Sequence, residues 1–411
     1  MSASQIGILE IVFWCGAGVV FYAYMGYGIV LWLLLIAKRA LFPASKSNEA
    51  ATVFPKVTFI VCAYNEFAWI AEKIANSLAI DYPSDKIRFV FVTDGSDDGT
   101  PQKALTAFRS ANPSAAYYVL HQPERKGKIA AFHRAVTDFG RWEGANESHI
   151  IVSTDANTLL NKEAVKRMMA HFDDPGTGAV AGEKRIRMDE KDAANAAGEG
   201  IYWQYESLLK KWDAELWSVV GAAGELFALR ADLYEPVPPD TIVEDFYLTM
   251  RIAQQGYRVA YEPGAYAVES SSASVGEEMK RKIRIAAGGL QAVARLAALL
   301  NIFRYGTLSF QYISHRFLRW TLAPAFLPVL LVSNIVLAYF GPSYYQIILV
   351  IQLLFYAFSA LGYFFERRKV KVKAFFIPYY FCVMNYAMYA GLFRLLRGKQ
   401  SVIWEKSERA I

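Results

Sequence analysis

Three long stretches of this chain carry no charged residue: Ile11 to Ala37, Thr321 to Phe365 and Ala374 to Phe393. An apolar helix needs about 20 residues to cross the hydrocarbon of a bilayer. The first stretch therefore predicts one crossing. The second, broken by Gly341-Pro342-Ser343, predicts two crossings joined by a tight turn. The third has length for one more, although Pro378 and Asn385 within it also fit a re-entrant or interfacial helix. Between the first two stretches the pattern changes. Val57 to Ala63 is an almost unbroken run of strand formers, which predicts a central parallel strand buried on both faces. Ile87 to Thr93, Tyr117 to His121 and His149 to Thr154 repeat that signal. Helices are predicted between them, from near Glu66 to before Asp81, over Thr100 to Ser110 and over Lys126 to Phe139. Strands alternating with helices predict right-handed crossovers and an open, mostly parallel α/β sheet. A further helix begins at Glu244, with Phe246, Leu248, Met250 and Ile252 facing a core, and Val275 to Asn301 reads as an amphipathic helix at a membrane interface.

These elements divide the chain into a first transmembrane helix (1–41), a large polar domain (52–274), interface helices (275–320) and a C-terminal transmembrane region of two or three spans with a basic tail (321–411). Lys38 and Arg39 after the first span, and Glu366 to Lys373 after the third, place the polar domain on the cytoplasmic side of the cell (inner) membrane. Arg394, Arg397 and Lys399 also favour that side, which a fourth crossing would deny them. The first stretch is too long for a cleaved signal peptide and lacks a basic start, so it is expected to stay attached. Arg316 to Trp320 sits where a span begins and reads as an interfacial anchor.

Composition changes this picture little. Hydrophobic residues make up 54% of the 411, in keeping with the spans. Of the net charge of +6, residues 366–373 carry +4 and 394–409 carry +3, which leaves the rest close to neutral at −1, so the basic surplus belongs to lipid headgroups and no nucleic-acid partner is expected. Cys15, Cys62 and Cys382 have no metal-ligand spacing and are expected as free core thiols.

Ligands of open α/β sheets sit at the carboxyl ends of the strands. Four polar loops fall there. Tyr64-Asn65-Glu66 follows the first strand; a simple helix cap would look the same. Asp94 to Thr100, an acidic loop and a poor phosphate cradle, suits ribose, base or metal unless it is an ordinary turn. Glu124 to Lys128 offers cations to a diphosphate, or a solvated charge run. Asp155-Ala156-Asn157 puts two hard oxygen donors on one turn, suited to Mg²⁺ or Mn²⁺ bridging phosphates. Glu244 and Asp245 then open a helix, where the helix dipole favours acids in any case. Each loop alone is weak evidence. Four at consecutive strand ends, with the acidic pair beyond, describe a site for a sugar nucleotide.

In this order the segments AYNE, DGSDDGT, RKGK, DAN, GAAGELFALR and EDFYLTMR resemble the membrane-bound family 2 glycosyltransferases, the group of hyaluronan, chitin, cellulose and poly-N-acetylglucosamine synthases, over roughly Pro55 to Gly289. The resemblance implies a GT-A fold, a nucleoside diphosphate sugar donor, a divalent cation and inversion at the anomeric carbon. Carried across by motif, it implies that Tyr64 and Glu66 contact uracil, Asp94 the uridine, and that Lys128 lies near the nucleotide. Asp155 and Asn157 would hold Mg²⁺ or Mn²⁺. Gly221 to Gly224 would begin a helix facing the acceptor, with Glu225, Arg281 and Arg284 also on the acceptor side. Asp245 would be the general base, with Glu244 beside it.

Three departures bear on function. Asn157 stands where the family's metal motif commonly ends in Asp, and Thr93 where many relatives have Asp. Arg281 to Gly288 lies where processive synthases carry QxxRW; Arg284 fits, but Arg281 replaces Gln and Ile285 replaces Trp. An isoleucine offers no flat face to a sugar. The expected activity is transfer from a UDP-sugar to a growing polysaccharide. Single addition to a lipid-linked acceptor is the alternative, followed by a non-catalytic membrane scaffold.

Overall fold

The structure, a computed structural model, describes residues 1–42, 54–142, 149–186, 193–269, 275–368 and 372–398. The tail from 399 onward and the boundaries expected at 52 and 274 lie outside the described residues. The chain divides into two compact units, a helical one (Met1–Lys38, Met188–Leu209, Met279–Gln400) and a sheet-bearing one (Arg39–Arg187, Lys210–Glu278, Ser401–Ile411).

The sheet has eight strands: β1 (Lys56–Ala63), β2 (Ile87–Asp94), β3 (Ala116–Gln122), β4 (His149–Asp155), β5 (Thr158–Leu160), β6 (Thr177–Ile186), β7 (Leu226–Arg230) and β8 (Arg258–Glu269), in the order β3-β2-β1-β4-β7-β6-β8-β5. The four strands read from the sequence form the parallel half. Their registers bring the strand ends level: Ala63 lies beside Thr93, Cys62 beside Asp155, and Asp94 beside Gln122. Polar loops remote in sequence therefore leave the sheet along one edge. Beyond β4 the sheet is mixed, because β7 runs antiparallel to both β4 and β6, and β5 antiparallel to β8.

The continuous apolar strands are buried on both faces, as such runs require. Phe91 meets Phe108 edge-on at 5.1 Å, and Phe108 stacks on Tyr117 at 4.6 Å. Each phenyl so buried contributes about 1.5–3 kcal/mol. The helix expected from Glu66 spans Ile70–Leu78, since the preceding residues form a turn tied to the next loop. No helix begins at Gly221 to Gly224. That segment is a loop feeding β7, and Gly221 takes a left-handed φ of +87° that would break a helix.

In the helical unit, three helices among the described residues are long and apolar enough to cross a membrane: Ala3–Leu41, Leu322–Phe340 and Tyr344–Arg367. The last two are joined at Gly341-Pro342-Ser343, as the pattern predicted. The third charge-free stretch forms the helix Lys373–Leu396, outside that set. Ala3–Leu41 is interrupted by a π turn at Tyr22–Gly26, and a second π turn occupies Ile313–Phe317. The Tyr22 hydroxyl lies 2.9 Å from Ser314 Oγ, linking the two turns. Arg319 Nε donates to the Ala23 carbonyl and the Tyr205 hydroxyl to the Tyr24 carbonyl. Arg319 also pairs with buried Glu206, which His315 Nε2 meets at 3.3 Å. Arg319 is buried against a carboxylate, and Trp320 packs on Gly289. The cysteines are free, but Cys15 is exposed on its helix where a core position was expected.

Candidate active site

The level strand ends bring the first two polar loops into contact. Asn65, at a left-handed φ of +53°, clips them: its amide Nδ2 donates to Asp97 Oδ1 at 2.8 Å, Asp97 N donates back to Asn65 Oδ1, and Asn65 N donates to Ser96 Oγ. Beside this clip the Arg125 guanidinium lies 3.4 Å from the centre of the Tyr64 ring. The Glu124 to Lys128 segment thus splits in its roles. Arg125 covers Tyr64, Lys126 pairs with Glu124 at the surface, and Lys128 turns inward. Glu66 starts the following turn, its carbonyl accepting from Trp69 N and Ile70 N. Asp94 Oδ2 accepts from the backbone N–H groups of Lys126 and Gly127. Its other oxygen is buried with no hydrogen-bond partner among the described residues, an unspent acceptor beside the first two loops. Burial holds the Asp94 carboxyl above its usual range, against the pull of those N–H groups.

Lys128 is the hub of the second half. Its ammonium lies 2.8 Å from Asp155 Oδ1 and 2.8 Å from Glu244 Oε1. Burial opposes its charge, but Asp155, Glu244 and Asp245 outweigh that and hold it well above the usual lysine range. Asp155 is raised by burial, with Lys128 pulling it down. Asp245 is raised by burial and then by the Glu244 carboxylate, with Lys128 opposing, and is pushed up to about 7. Glu225 is held by Lys184, which also pairs with Glu269.

Two glycines make this approach possible. A Cβ on Gly221 would fall 2.1 Å from Phe246 Cδ2, and its φ of +87° disfavours any side chain. A Cβ on Gly224 would lie 3.1 Å from both Asp245 Oδ2 and Lys128 Nζ. Gly221→Ala is expected to displace Phe246 and the neighbouring Asp245, cutting turnover about 10²-fold through misplacement alone. Steady-state rates set against melting temperature check this.

For a divalent cation the structure offers Asp155 and Asn157. No cluster of three or more His, Cys, Asp or Glu fit to hold a metal occurs among the described residues. The half-buried Asn157 amide has no hydrogen-bond partner among them either. One carboxylate and one open amide do not cage a metal, but they fit a hard cation completed by phosphate oxygens.

The structure therefore gathers Tyr64, Glu66, Asp94, Lys128, Asp155, Asn157, Gly221, Gly224, Glu225, Glu244 and Asp245 within the sheet-bearing unit. Arg281 and Arg284 fall in the helical unit, on the helix Val275–Arg295. Sequence reading missed Lys184 and Lys73, and it placed Asn65 in a polar loop without its role as the clip. Lys73 had a visible signal, since it sits on the buried face Ile70, Lys73, Ile74, Ser77. Its amine donates to Thr154 Oγ1 at 3.0 Å and Thr158 O at 2.8 Å, and burial pulls it down to about 7.

The sheet, its edge of acids and the sequence between them define the class. Residues 55–288 match the glycosyltransferase like family 2, and the chain belongs to that family. It is 26% identical over 246 residues to a poly-beta-1,6-N-acetyl-D-glucosamine synthase of Staphylococcus aureus (strain COL), covering 58% of this chain and 56% of that protein. It is 23% identical over 280 residues to an N-acetylglucosaminyltransferase of Rhizobium sp. (strain N33), covering 65% and 60%. The chain thus spans little more than half the length of these curated relatives. Among solved structures, a mannosyltransferase from Pyrobaculum calidifontis in complex with GDP-Man and Mn²⁺ superposes with a TM-score of 0.69 at 24% identity, over 95% of this chain and 99% of that one. That likeness fixes the fold as GT-A with its associated helices.

Proposed function

We propose that this protein is a membrane-embedded inverting glycosyltransferase that moves a sugar from a UDP-sugar to a growing polysaccharide. The observation that carries the reading is the convergence of Asp155, Glu244 and Asp245 on the ammonium of Lys128. Asp245, at about 7, is poised to accept a proton near neutral pH, where a general base is most effective. As the acceptor oxygen attacks the anomeric carbon, its proton passes to Asp245. The bond from that carbon to the diphosphate breaks, and its electron pair leaves with the UDP. Asp155 and Asn157 would hold Mg²⁺ or Mn²⁺, whose charge offsets that of the leaving diphosphate. The unpartnered oxygen of Asp94 and the Tyr64 ring under Arg125 would supply an acceptor and a flat face for the nucleoside.

The synthase named among the relatives favours a polymer product, and Lys38 and Arg39 favour a cytoplasmic sheet-bearing unit at the cell membrane. A second reading, addition of one sugar to a lipid-linked acceptor, is favoured by Arg281 and Ile285 at the QxxRW position. The test offers detergent-purified protein a panel of UDP-sugars and GDP-mannose with Mg²⁺ or Mn²⁺, and sizes the product. UDP release with a long product supports the first reading and a single added sugar the second. Preference for GDP-mannose would replace the base in the donor, and no turnover with any donor would leave a scaffold.

A further inference from the structure

Lys73 is fully buried, yet no carboxylate pairs with it among the described residues. What it faces instead is a pair of threonine hydroxyls, 3.0 Å apart, whose protons are already committed. Thr154 Oγ1 donates to the Glu225 carbonyl at 2.8 Å, and Thr158 Oγ1 donates to the Asp155 carbonyl at 2.9 Å. A hydroxyl has one proton. If both are spent on carbonyls, the two oxygens meet lone pair to lone pair. The Lys73 amine relieves that clash, since Nζ lies 3.0 Å from Thr154 Oγ1, 3.5 Å from Thr158 Oγ1 and 2.8 Å from the Thr158 carbonyl. Protonated or neutral, it keeps at least two N–H donors. Without it, one threonine must turn its proton to the other and release either the Glu225 or the Asp155 carbonyl. Those carbonyls belong to two site segments distant in sequence, the Gly224-Glu225 loop and the Asp155 to Asn157 turn.

Resting on the donor-site reading above, we infer that Lys73 is a positioning residue: its N–H groups hold both threonine hydroxyls on their carbonyls and so set the Asp155 to Asn157 turn for a cation-bound nucleoside diphosphate. It acts from behind the turn and touches no substrate. A purely structural alternative is that the helix Ile70–Leu78 merely needs fastening to β5. Asn76 provides the control, because it fastens the same helix to the same strand beyond the turn. Its Nδ2 donates to the Leu160 carbonyl and its Oδ1 accepts from Leu160 N, each at 2.8 Å.

The experiment measures Mn²⁺ binding by electron paramagnetic resonance in the presence of UDP, and separately GDP, on the full chain in detergent. Lys73→Met and Asn76→Ala are compared with the unmodified protein, and each melting temperature is recorded. Lys73→Met is expected to weaken Mn²⁺ binding about 10-fold or more, the scale for lost support behind a ligand, while Asn76→Ala changes it less than about 3-fold. Equal affinities in Lys73→Met and the unmodified protein, or equal losses in both variants, would overturn the inference and leave the donor-site reading standing. Unmodified protein that bound Mn²⁺ with neither nucleotide would remove both. Should Lys73→Met not fold, Thr158→Val and Thr158→Ser carry the test. Valine is expected to reproduce the loss and serine to restore binding, and equal affinities in the two would overturn the inference.

Discussion

Asp245→Asn is expected to lower turnover by about 10²–10⁴-fold, the usual worth of a positioned general base, while nucleotide binding stays within about 2-fold. The asparagine amide keeps the shape and the position at the helix start but cannot take a proton. To act as the proposed base, Asp245 must be ionised, and its carboxyl is pushed up to about 7. The rate should therefore rise about tenfold per pH unit below pH 7 and level off above it, and the residual rate of Asp245→Asn should lose that limb. Stability should move the other way. A carboxyl raised in the folded state from 3.8 costs stability as pH climbs from about 4 to about 7, because folding then works against its ionisation. Asp245→Asn should consequently melt higher than the unmodified protein at pH 8, with the gap closing toward pH 5. Rate against pH and melting at the two pH values check both halves. Full turnover in Asp245→Asn would take this carboxylate out of the chemistry.

Lys128→Met carries the second large effect. It leaves the buried Glu244 and the partly buried Asp155 without the ammonium that each touches at 2.8 Å. Removing one partner of a buried pair typically costs about 3–5 kcal/mol, because the abandoned charge stays desolvated. Part of that cost can be avoided if a carboxyl takes up a proton instead. Lys128 is the cation that pulls Asp245 down, so its loss raises Asp245 further. The rising limb of the pH–rate profile should then move above pH 7. Denaturant unfolding at pH 5 and pH 8 separates the terms: the variant should lose more stability at pH 8, where the carboxyls are forced to ionise. An unshifted limb would show that Lys128 does not set the state of Asp245.

The parallel half of the sheet was legible because β1, β2 and β4 are buried on both faces, which forces long runs of Val, Ile and Phe. The antiparallel half was not. β8 alternates in burial along its length, β5 has three residues, and β7 is five residues placed by its pairing with β4. The acids at the strand ends could be found because parallel strands of similar length finish level. What the chain does not display is which polar residues support them. Lys184, Lys73 and Asn65 meet partners many positions away, and only Lys73 breaks a local rule by sitting on an apolar stripe. Gly221 reads as a turn former in a sequence. Its closeness to Phe246, and so its tie to Asp245, exists only in three dimensions.

The π turn at Tyr22–Gly26 amounts to one surplus residue in a continuous rod, and each residue advances the rod by about 100°. The rows of side chains before and after it are therefore out of phase by that angle, so the two ends of one helix present different stripes to their surroundings. Arg319 and Tyr205, gripping the carbonyls of Ala23 and Tyr24, fasten the surplus residue at that level and prevent it from migrating along the rod. The offset angle is thus the helix's own, while the level at which the N-terminal half turns against the C-terminal half is marked by two side chains from elsewhere in the unit.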